Sequence, residues 1–205
     1  MLAESAWIAP LRYFQLVLDQ RKADYEEILR LLIGNVSSYL EKYLGHAIIS
    51  ATYTHDGTTW KKLDGNGRAT YYLAQRPLGT LTSLALKDES AIDITDVDEL
   101  VWEADNAALH LLNGRVFTRG KQNLAVTYVA GWTTYAADVT TTPTIPGEIL
   151  QVGAELIGRK LQEWERKGPQ ITEVRVADTA VAFTLSDMTA EQRRMLAPYR
   201  RYLIA

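Results

Sequence analysis

The sequence predicts an α+β protein, a helical bundle into which an antiparallel β lobe is inserted, and three observations carry that prediction. Apolar residues recur with helical spacing up to Gly45 and again after Pro146, but from Ala47 to Trp132 the period drops to two. The strand-like stretches follow one another without helices between them, which excludes βαβ alternation and a parallel sheet. Glycine and proline stand at the joints, where periodic segments end or restart. Long helices are expected near 24–44 and 146–167, and a short terminal helix near 187–203. The organisation expected from these is a bundle core of 1–46 with 146–168, a β lobe of 47–132, a linker loop of 133–145, and a C-terminal hairpin and helix in 169–205.

The first helix is read from DYEEILRLLIGNVSSYLEKYLGH, which places Ile28, Leu32, Val36, Tyr39, Leu40 and Tyr43 on one face. Asp24 is placed to cap it, Glu26 and Glu27 suit the positive end of its dipole, and Gly45 follows its last turn as a left-handed cap. From Asp24 to Leu44 it would span about 30 Å. In the lobe, AIISATYTHDG, TTWKKL, ATYYL, LTSLALKD, ELVWEA, ALHLL and NLAVTYVA read as strands, and DGNG, RPLG, ADN and LNGR as turns. The last strand stops at Ala130-Gly131-Trp132, where a glycine would let the backbone turn and a large aromatic could cover the junction. Threonines then carry the chain in extended form to Pro146, whose missing N–H costs nothing at a helix start.

In PGEILQVGAELIGRKLQEWERKG the residues Ile149, Gly153, Leu156, Ile157, Lys160, Leu161 and Trp164 share a face, and Gly168-Pro169 ends the run. Gly153 and Gly158 each cost an exposed helix about 1 kcal/mol relative to alanine, which points to a close helix-to-helix approach. The tail offers a hairpin, ITEVRVADTAVAFTLS, and a helix capped by Asp187 with Glu191 in its first turn. A lone hairpin and a short helix have little core of their own, so 170–205 are expected to become ordered on assembly.

Composition bounds the chemistry. A chain of 205 residues, 47% hydrophobic and 23% charged, can bury a core. It has no cysteine, which excludes disulfides, thiolate metal ligands and a cysteine nucleophile. A net charge of −3 argues against a dedicated nucleic-acid binder. No apolar run reaches the roughly 20 residues of a membrane span, and MLAESAWIAPLRYF lacks the plan of a signal peptide. The chain reads as soluble and made in the cytosol.

No catalytic constellation emerges. His46, His55 and His110 lack the i, i+4 spacing that converges on zinc. DGNG at 64–67 starts like a calcium loop but lacks the later oxygen ligands, and a hairpin turn explains it. Neither a phosphate-cradling GxxxxGK[ST] nor a GxSxG elbow is present. From Lys87 to Asp105 eight carboxylates meet one lysine. This run fits either an exposed face or a surface that a symmetric assembly would line with negative charge. The terminal helix carries Arg193, Arg194, Arg200 and Arg201 around Met195, Leu196, Pro198 and Tyr199, which fits a solvated cap or a docking segment.

The order of these pieces resembles a known family. A helix ending YLEKYLGH, the strand AIISATYTHDG, the element RPLGTLTSLAL, the strand NLAVTYVAGW, the segment IPGEILQVGAELIGRKLQE and a final LAPYRR look like the head-to-tail connector, or adaptor, proteins of long-tailed bacteriophages. The resemblance spans roughly residues 22–203. It departs from the smallest connectors in the long, strand-rich stretch between Tyr53 and Asn123 and in the N-terminal segment, which has no counterpart. The resemblance implies a structural virion protein with no enzymatic activity and no cofactor or metal, made in the host cytoplasm and placed at the virion neck. It implies a ring, expected to be a dodecamer, under the portal protein. A neck stopper or tail completion protein would sit on the other side, and double-stranded DNA would pass through the channel without specific contact. No membrane is involved. By position, the portal-docking role falls on LAPYRR: Leu196, Pro198, Tyr199, Arg200 and Arg201.

Two other classes remain open from the residues. A phage tail or baseplate carbohydrate-binding module would show Trp60, Trp102 or Trp132 exposed for stacking on sugars, whereas a packing role would bury them. A carboxylate hydrolase would draw on Asp93 to Glu103.

Overall fold

Gly45 and Gly131 have left-handed backbones, φ 79° and 106°, and each closes a long element. The computed structural model describes residues 7–19, 25–86, 92, 96, 98–135, 143–166 and 188–201. These form an α+β protein with antiparallel sheets. The chain divides into two compact units, one of Met1–Ile48 with Thr133–Ala205 and one of Ile49–Trp132.

In the first unit, α1 (Leu11–Val17) precedes α2 (Glu26–Leu44), and α3 (Gly147–Arg166) and α4 (Ala190–Leu196) follow later in the chain. Glu26 and Glu27 lie in the first turn of α2, and the Gly45 amide closes it on the Glu41 carbonyl at 2.9 Å. Asp24 lies outside the described residues. The buried stripe of α2 is Leu29, Leu32, Ile33, Val36, Ser37, Leu40 and Leu44. It is turned from the expected face, because Ile28, Tyr39 and Tyr43 are only half-buried and flank it.

The segment just before α1 supplies the reason. Trp7, Ile8 and Ala9 are buried. The Ile8 amide donates to Ser37 Oγ at 3.2 Å, and that hydroxyl donates to the Ile33 carbonyl at 2.7 Å. Ile8 also bears on the glycines of α3. A Cβ on Gly153 would lie 2.4 Å from Ile8 Cδ1, and one on Gly158 would lie 3.2 Å from Leu18 Cδ2. Gly153 therefore admits Ile8 and, at 3.7 Å, Leu40 of α2, and Gly158 admits Leu18 at the end of α1. Burying a side chain such as Ile8 contributes roughly 1.5–3 kcal/mol, which offsets the poor helix propensity of the glycine beneath it.

α3 starts directly after Pro146, whose carbonyl accepts from the Ile149 and Leu150 amides. Lys160 and Trp164 are half-buried, with Trp164 edge-on to Tyr25 at 5.8 Å. The Thr133 amide and Thr144 Oγ1 meet at 2.8 Å, and Thr134 Oγ1 donates to the Ile8 carbonyl at 2.7 Å. The expected stop at Gly168-Pro169 and the hairpin of 171–186 lie outside the described residues.

In the second unit β7 (Gly120–Ala130) is the organising strand. β1 (Ala51–His55) and β4 (Leu78–Leu86) both pair with its second half and so lie on opposite sides of it. β2 (Leu63–Gly65) and β4 both pair with Leu124, which puts β2 on the same side as β1. A second sheet has the order β3 (Thr70–Tyr72), β6 (Ala108–Leu111), β5 (Leu100–Glu103). Buried residues of β7 alternate as Leu124, Val126, Tyr128 and Ala130. The alternation ends at Gly131, where a Cβ would lie 2.7 Å from the backbone of Ile49.

The expected strand TTWKKL is corrected. Asp56 Oδ1 accepts from the Thr58 and Thr59 amides at 2.7 Å each, which holds 56–60 as a turn. β2 begins only at Leu63 and takes in Asp64 and Gly65, so the turn of DGNG shifts to Asn66-Gly67. Buried Asn123 fixes the irregular β2–β7 pairing: its Oδ1 accepts from the Gly65 amide at 2.7 Å and its Nδ2 donates to the Thr118 carbonyl.

Candidate functional site

The terminal helix is shorter than its sequence suggests, because Pro198 tightens the chain into a 3₁₀ turn at Ala197–Tyr199. Its start is held by Thr189, whose Oγ1 accepts from the Gln192 amide at 3.1 Å while Gln192 Oε1 accepts from the Thr189 amide at 3.0 Å. This reciprocal cap satisfies two amides that would otherwise lack partners. Asp187 lies outside the described residues. Met188, Gln192 and Leu196 are buried, and Gln192 Nε2 donates to Glu155 Oε2 of α3 at 2.6 Å. Residues 188–201 thus have a core to pack on, which corrects the expectation that this part of the tail lacks one.

The five residues of LAPYRR divide by environment. Leu196 is fully buried and acts as the anchor of the segment. Tyr199 is half-buried, and its hydroxyl donates to Glu148 Oε2 at 3.1 Å. Burial, followed by the Glu148 carboxylate, pushes that hydroxyl above its ordinary pKa. Pro198 and Arg200 are exposed, and the Arg200 guanidinium lies 5.2 Å from the centre of the Tyr43 ring. The Arg201 amide donates to the Leu44 carbonyl at 2.7 Å, and His46 Nε2 lies 2.9 Å from the Tyr199 carbonyl. The structure therefore brings LAPYRR against the end of YLEKYLGH. A C-terminal carbonyl of α2, which has no partner within its own helix, receives one from the tail.

The other sequence-selected residues sit elsewhere. His55 Nδ1 lies 3.1 Å from the Lys61 carbonyl, and His110 Nδ1 lies 3.0 Å from Thr70 Oγ1. Among the described residues no group of three or more His, Cys, Asp or Glu could hold a metal ion. No helix among them is long and apolar enough to cross a membrane. In the acidic run, Glu99 pairs with Arg115 at 3.1 Å and Glu103 lies 3.4 Å from His110 Nε2. Asp93 lies outside the described residues.

The tryptophans differ sharply. Trp7 is buried and Trp102, Trp132 and Trp164 are half-buried, but Trp60 is 45% exposed. It closes an aromatic cluster, 5.5 Å from Tyr53 and 5.2 Å from His55, with Tyr53 stacked on Tyr128 at 5.3 Å. Beside it a groove of about 550 Å³ is lined by Lys61, Lys62 and Lys121 as well as Asp64 and Gln122. Lys61 and Lys62 adjoin Trp60 in the chain, but Lys121 joins them only through the β2–β7 pairing, so the cluster is not legible in the sequence.

No protein-family model matches the sequence, and no curated protein matches it. Solved structures do match its fold. A chain from the neck of an empty gene transfer agent (GTA) particle, computed with C6 symmetry, superposes with a TM-score of 0.56 at 16% identity, covering 100% of this chain and 96% of that one. A chain from the virion of the native GTA particle gives 0.53 at 16% identity, again covering 100% and 96%. One from the neck of the native particle, computed with C12 symmetry, gives 0.50 at 17% with the same coverage. At these identities the likeness is one of fold.

Proposed function

We propose that this chain is a structural protein of the neck of a phage-like particle, a head-to-tail adaptor that forms a ring beneath the portal. The observation that carries the proposal is end-to-end likeness of fold to a chain of a particle neck, over 100% of this chain and 96% of that one. The C6 and C12 symmetries of those necks are compatible with the expected dodecamer. A net charge of −3 suits a ring through which DNA must pass, since a basic lumen would retain it by counterion release. The role is architectural, with no reaction to catalyse.

In this role LAPYRR is the portal-docking segment, with a division of labour among its residues. Pro198 and Arg200 present the contact surface, while Leu196, Tyr199 and the Arg201 backbone hold it on α2 and α3. The opposite face of the ring would receive a stopper or tail completion protein. Mixing the purified chain with its portal protein and imaging by electron microscopy tests the proposal. Rings bound to the portal are expected, with binding weakened at least tenfold by Arg200→Glu; absence of both ring and binding would overturn it.

Exposed Trp60 favours a second reading, a tail or baseplate carbohydrate-binding module. Binding on a glycan array that is lost in Trp60→Ala would support that reading.

A further inference from the structure

We infer that the Trp60–lysine groove of the β unit is one half of the contact between neighbouring copies of this chain, and that the acidic β5 side of the same unit is the other half. The inference rests on the proposed ring and names the surfaces that would close it. A cyclic ring needs a head-to-tail contact, in which one chain presents two different and complementary faces.

The first face is basic with an apolar centre. Trp60 stands out with Lys61, Lys62 and Lys121 around it, and tryptophan is among the residues that most often dominate interface energetics. Its loop is already fixed. Asp56 holds the Thr58 and Thr59 amides, the Gly57 amide donates to the Trp60 carbonyl at 2.8 Å, and His55 Nδ1 lies 3.1 Å from the Lys61 carbonyl. Lys62 lies along Gly57, where a Cβ would sit 3.4 Å from its Cε. A loop ordered in advance loses little freedom on binding. The two carboxylates on this side are engaged with backbone: Asp56 as described, and Asp64 as acceptor from the Gln122 amide at 2.8 Å.

The second face is acidic with an apolar centre. Asp96, Asp98, Glu103 and Asp105 are exposed, and Val101, 44% exposed on the edge strand β5, stands between them in sequence. The turn is again fixed, since the Asp96 carbonyl accepts from the Glu99 and Leu100 amides at 3.1 Å and Asp96 Oδ1 accepts from the Asp98 amide at 2.9 Å.

Topology keeps the faces apart. The groove belongs to the β1/β2 side of β7, whereas the end of β5 lies toward β4 on the other side, where the Leu78 amide donates to the Ala104 carbonyl at 2.8 Å. In the second sheet β5 is the edge opposite β3, the strand that continues from β2. The complement of each face is therefore present on every copy, on its other side. Opposite charge steers the approach and fixes the register, and Trp60 against Val101 excludes water at the centre.

Charge exchange tests this. One chain carries Lys61→Glu, Lys62→Glu and Lys121→Glu, and a second carries Asp98→Lys, Glu103→Lys and Asp105→Lys. Five of the six positions are exposed and Lys62 is half-buried, so thermal unfolding of each monomer checks that it folds. By mass photometry and electron microscopy, each reversed chain alone should lose the ring, with self-association weakened at least tenfold. An equimolar mixture should restore rings of alternating chains. Wild-type rings alongside rings of unchanged stability from either reversed chain overturn this inference alone. If the lysine-reversed chain keeps its rings but loses binding to a sulfated glycan, the groove belongs to carbohydrate and the inference is likewise overturned. A wild-type chain that forms no ring, with or without portal, overturns the adaptor proposal and this inference with it.

Discussion

The amide of Arg201 donates to the carbonyl of Leu44 at 2.7 Å, so the last described residue of the chain completes the C-terminus of its second helix. His46 reinforces the link from the residue after the Gly45 cap, its Nε2 lying 2.9 Å from the Tyr199 carbonyl. Replacing His46 by Ala should cost about 1–3 kcal/mol, because a buried hydrogen-bonding group is lost along with its packing. Urea unfolding gives the magnitude. Amide exchange gives the location, with faster exchange expected at Arg201 before the core of α2 is affected.

Thr189→Ala removes the side-chain half of the reciprocal cap on α4. A loss of about 1 kcal/mol is expected, with Thr189→Ser close to wild type since the hydroxyl is retained. Equal stability of the Ala and Ser variants would show that the cap does not hold the segment.

Gly131→Ala should be among the most damaging single-methyl additions in the β unit. The backbone is at φ 106°, and the new Cβ would stand 2.7 Å from the Ile49 carbonyl. Backbone strain of order 1–3 kcal/mol adds to the clash, so a loss of more than about 2 kcal/mol is expected from urea unfolding. Gly147→Ala is the control. A Cβ there meets nothing within 4 Å at the first position of α3, so the change should be neutral or stabilise by up to about 1 kcal/mol.

Glu41 introduces a pH dependence of known sign. Burial raises its pKa above the usual carboxylate value, and the hydrogen bond from the Ile48 amide opposes this only in part. A carboxyl group whose folded pKa is raised binds its proton more tightly in the folded state. Its contribution is therefore fully present below the unfolded pKa and is lost as pH rises through the folded one. Glu41→Gln keeps an acceptor for Ile48 and removes the charge. It should flatten this part of the stability profile and raise stability at neutral pH, as read from urea midpoints across the acid limb. An unchanged slope would refute the assignment to Glu41.

What could be read from the sequence was local. The Gly45 cap, the Pro146 restart, the alternation of Leu124, Val126 and Tyr128, and the stop at Gly131 all depend on residues within a few positions of one another. The periodic pattern of α2 points one step off its buried face, since Tyr39 and Tyr43 count as apolar but are only half-buried. Asp56 disguised a turn as a strand, because TTWKKL has β propensity and only the Asp56 side chain, bonding to the amides that follow, overrides it. LAPYRR reads in the sequence as one unit. Its separation into buried Leu196, half-buried Tyr199 and exposed Pro198 and Arg200 needed a tertiary partner to become visible.

The sequence by itself determined the class of fold and such turning points as Gly45 and Gly131, because caps, alternation and φ preferences act through near neighbours. The tertiary structure alone decided that Ile8 sits over Gly153, that Asn123 clamps Gly65 and that His46 meets Tyr199 across 153 positions. It also brought Lys121 beside the Trp60-Lys61-Lys62 run. Such pairs follow no period, since each forms only where two already folded surfaces fit and the free energy of that fit exceeds the entropy of bringing distant residues together.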